Sequence, residues 1–305
     1  MILVLDKRLE LYSFPRHPFN SLRYKAFVEE FRKLDDSLKE KIKIIKAKKA
    51  KINELLLFHT RDYVNFVKKR SKEGCGFLDY GDTPAFKGCY EACCYVVGSV
   101  LSTIDKMLEK EENAFVPVAG LHHAYKDQAR GFCIFNDVCI AINYLRKKYN
   151  LKKILYFDID AHHGDGVFYS FEKDPNTYIV DFHQSFLYPG TGSENEIGKG
   201  KAKGTKLNLL MEPLSDDSDF KNGLKKVSNL LDKIKVDFIM LQAGADCLVG
   251  EPLANLNFEK AHEMASNFLV KYSKKWHSNI LALGGGGYNQ KNCAKAWIEV
   301  IKVLA

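Results

Sequence analysis

Beyond residue 113, six short apolar runs alternate with helical patterns, and this alternation limits the fold more than any other feature. The runs are Ala114–Val118, Ile154–Phe157, Tyr178–Phe182, Leu207–Leu210, Phe238–Leu241 and Ile280–Leu283. Unbroken apolar segments of this length suit strands buried on both faces. Helical spacing of apolar residues marks Asp137–Lys148, Asp217–Asp232, Phe258–Lys274 and Gln290–Leu304 between or after them. The pattern predicts an α/β protein with a central, mostly parallel sheet and helices on both faces. Upstream, the spacing predicts helices at Ser21–Lys33, Lys51–Phe58, Asp62–Ser71 and Phe86–Leu108. No internal repeat or low-complexity linker divides the chain, so a single domain over residues 1–305 is expected.

Composition narrows the class. The N-terminal MILVL run has no basic region before it and predicts a first strand rather than a signal peptide. The longest apolar candidate, Ala92–Ile104, is too short to span a bilayer and reads as a buried helix. None of the eight cysteines forms a Cys-x-x-Cys pair, so reduced, mostly core thiols in a cytoplasmic protein are expected. Net charge is +8, with lysines grouped in Lys41–Lys51, Lys68–Lys72 and Lys199–Lys206. Aromatic residues are not interleaved with them as a base-stacking surface requires, so they read as solvated faces and not as a nucleic-acid site.

In open parallel sheets, ligands bind beyond the carboxyl ends of strands. Unusual polar residues follow the apolar runs four times: His122-His123, the Asp158–Asp165 segment (DIDAHHGD), Asp246, and Gly284–Gly287 with Tyr288. On an extended segment, residues two apart share a face, which groups Asp158, Asp160 and His162. Two carboxylates and an imidazole at the end of an apolar strand suit a cation. Oxygen and nitrogen donors without thiolate suit zinc, iron or manganese. Asp246 is the natural third ligand, leaving positions open for water and substrate. The plainer reading of the segment, a helix cap with Asp165 near the helix start, leaves the doubled histidine without a role. His122 and His123 suit general acid–base work. The glycines before Tyr288 allow the backbone close to the site while the phenol faces a developing oxyanion.

With these residues assembled, the chain resembles the zinc-dependent histone deacetylase family. The likeness lies in LHHAYKDQARGFCIFN (121–136), YFDIDAHHGDGV (156–167), YPGTG (188–192), AGADCLVGEP (243–252) and LGGGGY (283–288), with shorter segments at Arg16–Pro18 and Phe58–Thr60. It implies an arginase/deacetylase-like fold and one catalytic Zn²⁺ held by Asp160, His162 and Asp246. It further implies His123 as general base, His122 as cationic partner or proton donor, Asp158 and Asp165 as carboxylates orienting the histidines, and Tyr288 polarising the scissile carbonyl. Phe132 and Tyr188 would line a tunnel with Gly131 beside it, Gly286 close by, Leu253 near the mouth and Asp82 at the rim. A structural K⁺ or Na⁺ ion would sit by Asp158, and Asp181 stands where many relatives have serine. Arginases bind two manganese ions through extra acids. Here those places are Gly164, Gly244 and Leu248, which argues for one catalytic metal.

The activity so implied is hydrolysis of N-acetyl or other short-acyl lysine in proteins or peptides. Two rivals stand beside it. One is an acetylpolyamine amidohydrolase, for which Glu251 and Asp82 are candidate mouth carboxylates although position 253 is leucine. The other is a non-catalytic, zinc-bearing acyl-lysine binder, which should lack Tyr288, a histidine or a metal ligand; all are present.

Overall fold

The apolar runs pair side by side into one eight-stranded sheet, in a computed structural model that describes residues 1–305. The strands are β1 (Ile2–Val4), β2 (Lys43–Ile45), β3 (Ala114–Val116), β4 (Ile154–Asp158), β5 (Thr177–Gln184), β6 (Lys206–Met211), β7 (Phe238–Gln242) and β8 (Asn279–Leu283). Their order is β2-β1-β3-β8-β7-β4-β5-β6, and every pairing is parallel. All side chains of β4 and β7 are buried, as a sheet covered on both faces demands.

This order positions the site. The chain runs from β3 past two vacant places to β4, builds outward through β5 and β6, then returns to insert β7 and β8 in the gap. The four central neighbours, β3, β8, β7 and β4, are therefore the four strands followed by the polar segments. Sequence-distant residues meet because late strands fill the middle.

Ten helices surround the sheet: α1 (Leu22–Arg32), α2 (Asp36–Lys39), α3 (Ile52–Leu55), α4 (Arg61–Glu73), α5 (Cys89–Lys110), α6 (Asp137–Tyr149), α7 (Asp165–Phe171), α8 (Asp217–Leu231), α9 (Ala261–Trp276) and α10 (Gln290–Leu304). On one side α5 packs on α6; on the other α1, α10, α9 and α8 pack in succession. Their starts follow local chemistry. The Thr60 hydroxyl accepts from Tyr63 N, the Asn136 side chain from Cys139 N, and the Asp216 carboxylate from Ser218 N, each satisfying an otherwise orphaned donor. In α5, Gly98 faces the crossing segment 48–50, where Ala50 N donates to Cys94 O at 2.8 Å. A Cβ at Gly98 would overlap that backbone. The apolar side chains form one continuous core, without a second centre that would divide the chain.

Several local expectations are corrected. β2 lies within the first lysine cluster and is not singled out by its pattern; it is an edge strand, and Lys43 on it faces solvent. β3 stops at Val116, and two residues on Val118 takes a left-handed φ of 68°. The Lys51–Phe58 pattern yields only α3, one turn long. Lys206, counted among solvated lysines, is buried, its ammonium donating to the carbonyls of Asp174 and Thr177 and to the Thr205 hydroxyl. The eight cysteines are unpaired, and no helix is long and apolar enough to cross a membrane.

Trp297 of α10 ties the core to the site. Its ring packs against Phe27 and Phe115, and its indole N–H donates to Gly284 O at 2.8 Å, holding the glycine run after β8. Trp297→Ala should lower the free energy of unfolding by about 3–5 kcal/mol, read from urea denaturation; a loss below about 1 kcal/mol would contradict this role.

Candidate active site

Beyond β4, the chain leaves the extended conformation at Asp158 and turns. Asp160 and His162 consequently reach one place, and Asp158 another. Asp246 arrives on the turn after β7. One ligand atom from each of Asp160, His162 and Asp246 lies within 4.8 Å of the others, all three side chains being buried. His162 Nδ1 is 3.2 Å from Asp160 Oδ1 and 3.1 Å from Asp246 Oδ2. Both carboxylates are pinned from outside the cluster. Asp160 Oδ2 accepts from Gln242 Nε2 (2.8 Å) and Gly286 N (2.9 Å), and Asp246 Oδ1 accepts from Ala161 N (2.9 Å).

This donor set fits a divalent cation. Two carboxylates and one imidazole, all desolvated, need positive charge beside them. Burial alone would lower the His162 pKa, but Asp160 and Asp246 raise it to about 10, so with no cation the ring itself carries the charge. The backbone leaves room only by lacking side chains: a Cβ on Gly286 would stand 2.7 Å from Asp160 Oδ2 and closer still to Asp246 Oδ2, and one on Gly244 would overlap Asp160. An acid at position 244, one of the places where a two-metal arginase-type site would carry its extra acid, has no space. The expected grouping of Asp158 with Asp160 and His162 on one face is corrected accordingly. Asp158 Oδ2 instead accepts from the Tyr156 hydroxyl at 2.6 Å and faces His122.

The histidine pair follows β3. Asp137, at the start of α6, accepts from Gly120 N and Leu121 N, both at 2.8 Å, and Asn136 Nδ2 donates to Ala124 O at 2.8 Å; together they set the loop that carries the pair. His122 Nδ1 lies 2.8 Å from Asp158 Oδ2, and His123 Nδ1 lies 2.7 Å from Asp165 Oδ1. Each carboxylate holds an Nδ1–H, which turns both Nε2 atoms inward, 3.1 Å apart. In the resting pair one proton lies between them. Burial would lower the pKa of His122, but Asp158 and Asp160 raise it to about 10. Burial and the neighbouring charge on His122 push His123 down to about 4. The pair is thus one imidazolium and one neutral ring.

A cavity of about 240 Å³ opens onto these groups. Its wall combines Phe132, Leu187, Tyr188 and Leu253 with Asp82, Gly131, His123, His162 and Tyr288. A two-residue turn, closed by Arg130 N to Cys133 O (3.0 Å) and Cys133 N to Arg130 O (2.8 Å), presents Gly131 and Phe132, both at positive φ. A Cβ at Gly131 would lie 2.9 Å from His123 Cγ, so the turn rests directly on the imidazole. Asp82 Oδ2 accepts from Gly131 N at 3.1 Å. Tyr288 packs edge-on against Phe132, and burial beside Asp246 and Asp160 keeps its phenol protonated.

Of the residues singled out by sequence, Asp82, Gly131, Phe132, Tyr188, Leu253, His123, His162 and Tyr288 meet in the cavity. Asp160, Asp246, His122, Asp158 and Asp165 stand behind its wall. Gly286 is corrected from the substrate wall to the back of the carboxylate cluster. Glu251 is corrected too: it is buried rather than at the mouth, accepting from Tyr288 N (2.8 Å) and Asn289 N (3.1 Å). Asp181 sits next to Asp158 across the β4–β5 pair, bonded to Gly164 N (2.9 Å) and His183 Nδ1 (2.8 Å). Sequence reasoning did not find Leu187, Gln242, Asp137, Tyr156, Arg130 or Arg23, the last donating to Gly285 O and Gly287 O. Gln242 had a visible signal, a polar residue closing an apolar strand. Tyr156 bonds Asp158 only two residues on, whereas Asp137, Arg130 and Arg23 acquire meaning from contacts more distant in sequence.

Fold and site together define a parallel α/β protein with a two-carboxylate, one-imidazole cation centre and a paired-histidine wall. The histone deacetylase domain model matches residues 17–304. The chain belongs to the histone deacetylase family, which supports a hydrolytic deacetylase. The acetoin utilization protein AcuC of Bacillus subtilis (strain 168) is 32% identical, the match covering 98% of this chain and 81% of that protein. Histone deacetylase 8 of Xenopus laevis is 32% identical over 86% of this chain and 82% of its own. Among solved structures, the HDA15 HD domain superposes with a TM-score of 0.89 at 24% identity, covering 99% of this chain and 88% of that one, a likeness of fold.

Gly286→Ala should abolish stoichiometric divalent-metal binding, because the added methyl needs the space between the two carboxylates. Metal analysis of purified protein checks this; full occupancy in the variant would refute the cradle.

Proposed function

We propose that the chain, as one catalytic domain over residues 1–305, is a zinc-dependent deacylase that hydrolyses the amide of N-acetyl or other short-acyl lysine in proteins or peptides. One observation carries the reading: the cavity joins an aromatic and aliphatic wall to His123, His162 and Tyr288. An extended methylene chain suits the first part, and a polar amide suits the second. The relatives named above, an acetoin utilization protein and a histone deacetylase, support the activity class.

Zinc held by Asp160, His162 and Asp246 would supply Lewis-acid polarisation of the amide and a more acidic water. The chain's own groups do the rest. Phe132 and Tyr188 flank the lysine methylenes, Leu253 and Leu187 complete the wall, and Asp82 at the rim accepts backbone N–H groups of the peptide. His123 is neutral and, unlike His122, lines the cavity, so its Nε2 takes the proton of the attacking water. Asp165 fixes the tautomer that leaves this nitrogen basic. His122, held cationic by Asp158, stabilises the negative charge that develops and keeps a proton 3.1 Å from His123 Nε2. The Tyr288 hydroxyl donates to the oxyanion, and Glu251 holds the Tyr288 backbone in place. The proton then passes from the histidine wall to the departing amine. A K⁺ or Na⁺ ion beside Asp158 and Asp181 would offset the second pair of buried carboxylates. Unpaired cysteines support a reducing, cytoplasmic setting.

Burial of Glu251 favours a peptide over an acetylpolyamine. That carboxylate is engaged with backbone N–H groups and does not meet a second ammonium. Zinc-loaded protein assayed with acyl-lysine peptides and acetylputrescine should turn over the peptides faster. A preference for acetylputrescine would replace the peptide reading, and binding of acyl-peptide without hydrolysis would point to a non-catalytic binder. Tyr288→Phe should lower kcat by about 10²–10³-fold, the cost of one oxyanion donor; near-normal turnover would remove Tyr288 from the mechanism.

A further inference from the structure

We propose, resting on the deacylase reading, that Arg130 is a positioning residue whose guanidinium locks the Tyr188 wall of the cavity to the carboxylate that orients His123. Arg130 lies in the turn that presents Gly131 and Phe132, its backbone paired with Cys133 in both directions. Its side chain runs along the outside of the cavity wall, about one-third exposed at 35%. Nε donates to the Tyr188 hydroxyl at 3.2 Å, and Nη1 lies 3.1 Å from Asp165 Oδ2 and 3.4 Å from the Tyr125 hydroxyl. Tyr125 closes the group by donating to the same Asp165 oxygen at 3.1 Å. The other Asp165 oxygen holds His123 Nδ1. The guanidinium also lies near both tyrosine rings, 5.5 and 5.8 Å from their centroids.

Two parts of the site are joined through this one planar group. The first is the loop carrying Leu187 and Tyr188, whose ring stands edge-on to His123 with centroids 5.2 Å apart. The second is Asp165, fully buried and opposed by a single guanidinium. Nε and Nη1 belong to one rigid planar guanidinium, so Tyr188 and Asp165 are engaged by the same group and held relative to each other. Lysine offers one point charge and cannot span both. Releasing the first arm frees the Tyr188 ring and loosens substrate fit. Releasing the second leaves Asp165 Oδ2 on Tyr125 alone and weakens the hold of Oδ1 on His123. The two arms therefore act on different kinetic constants.

The test compares wild type, Arg130→Met, Arg130→Lys, Tyr188→Phe and the Tyr188→Phe/Arg130→Met double variant, zinc-loaded, on an acetyl-lysine peptide. Thermal melting confirms that each is folded. Arg130→Met should lower kcat about tenfold, in the range found for groups that orient site residues, and raise KM about threefold, one neutral hydrogen bond. Arg130→Lys should recover part of kcat, through its charge opposite Asp165, and none of KM. In the Tyr188→Phe background the same methionine should raise KM no further while still lowering kcat. Amide hydrogen exchange over residues 186–190 should rise in Arg130→Met, whether or not the protein turns over. Constants for Arg130→Met within about twofold of wild type, or unchanged exchange in that loop, would overturn the lock. An inactive wild type would overturn the deacylase reading instead, and the exchange measurement would still decide the lock.

Discussion

Five buried carboxylates at the carboxyl ends of the central strands impose the constraint to which the rest of this site answers. Asp158, Asp160, Asp165, Asp181 and Asp246 are each withdrawn from water. A carboxylate in that position is tolerated only with hydrogen-bond donors and positive charge around it. The chain supplies donors first: Gly164 N, Ala161 N, His162 N and Gly286 N come from backbone, Gln242 and Tyr156 from side chains. It then supplies charge from His122, His162, His183 and Arg130. The doubled histidines and the glycine run answer the same need. Imidazoles bring protons to the carboxylates, and glycines let backbone N–H groups approach them.

Strand order converts this local chemistry into one centre. If β7 and β8 had been added outside β6, Asp246 and Tyr288 would stand several strand spacings from Asp160, at roughly 4.8 Å per strand. Insertion between β3 and β4 instead places four polar segments on adjacent strand ends. The same insertion explains the close glycine packing. Gly285 N donates to Ala119 O at 2.7 Å and Ala245 N to Gly286 O at 2.9 Å, so the loops after β3, β7 and β8 are stitched backbone to backbone. The cation cluster is thus held by main chain, and the cavity wall by side chains such as Arg130 and Tyr288.

Much of this was legible beforehand because the signals are local. Unbroken apolar runs such as Ile154–Phe157 announce buried strands, and polar residues placed just beyond them announce a site. The exceptions share a physical origin. β2 is three residues long and half exposed, so pairing with β1, not its own pattern, makes it a strand. The Asp158 reading assumed that extended geometry continues past the strand, whereas the chain turns there. Glu251 looked available from its position near Leu253; its inward orientation is set by the N–H groups of Tyr288 and Asn289, some forty residues away in sequence. Arg130 carried no local mark, since Tyr188 and Asp165, the two partners it joins, belong to other segments.

Asp181 extends the charge argument one strand further, to β5. An added buried carboxylate beside Asp158 raises the cost of ionising both, and burial together with Asp181 pushes Asp158 up to about 7 even though His122 opposes the shift. Asp181 itself stays below the usual carboxylate range because His163 and His183 outweigh its burial. His183 is on the same strand two residues on, hence on the same face, with Nδ1 2.8 Å from Asp181 and Nε2 3.0 Å from Gly192 O. Its second nitrogen also faces an acceptor, so the ring is built to carry two protons. The negative charge of Asp181 is therefore matched by a positive one on its own strand, and the balance around His122 and His123 is kept by local pairing.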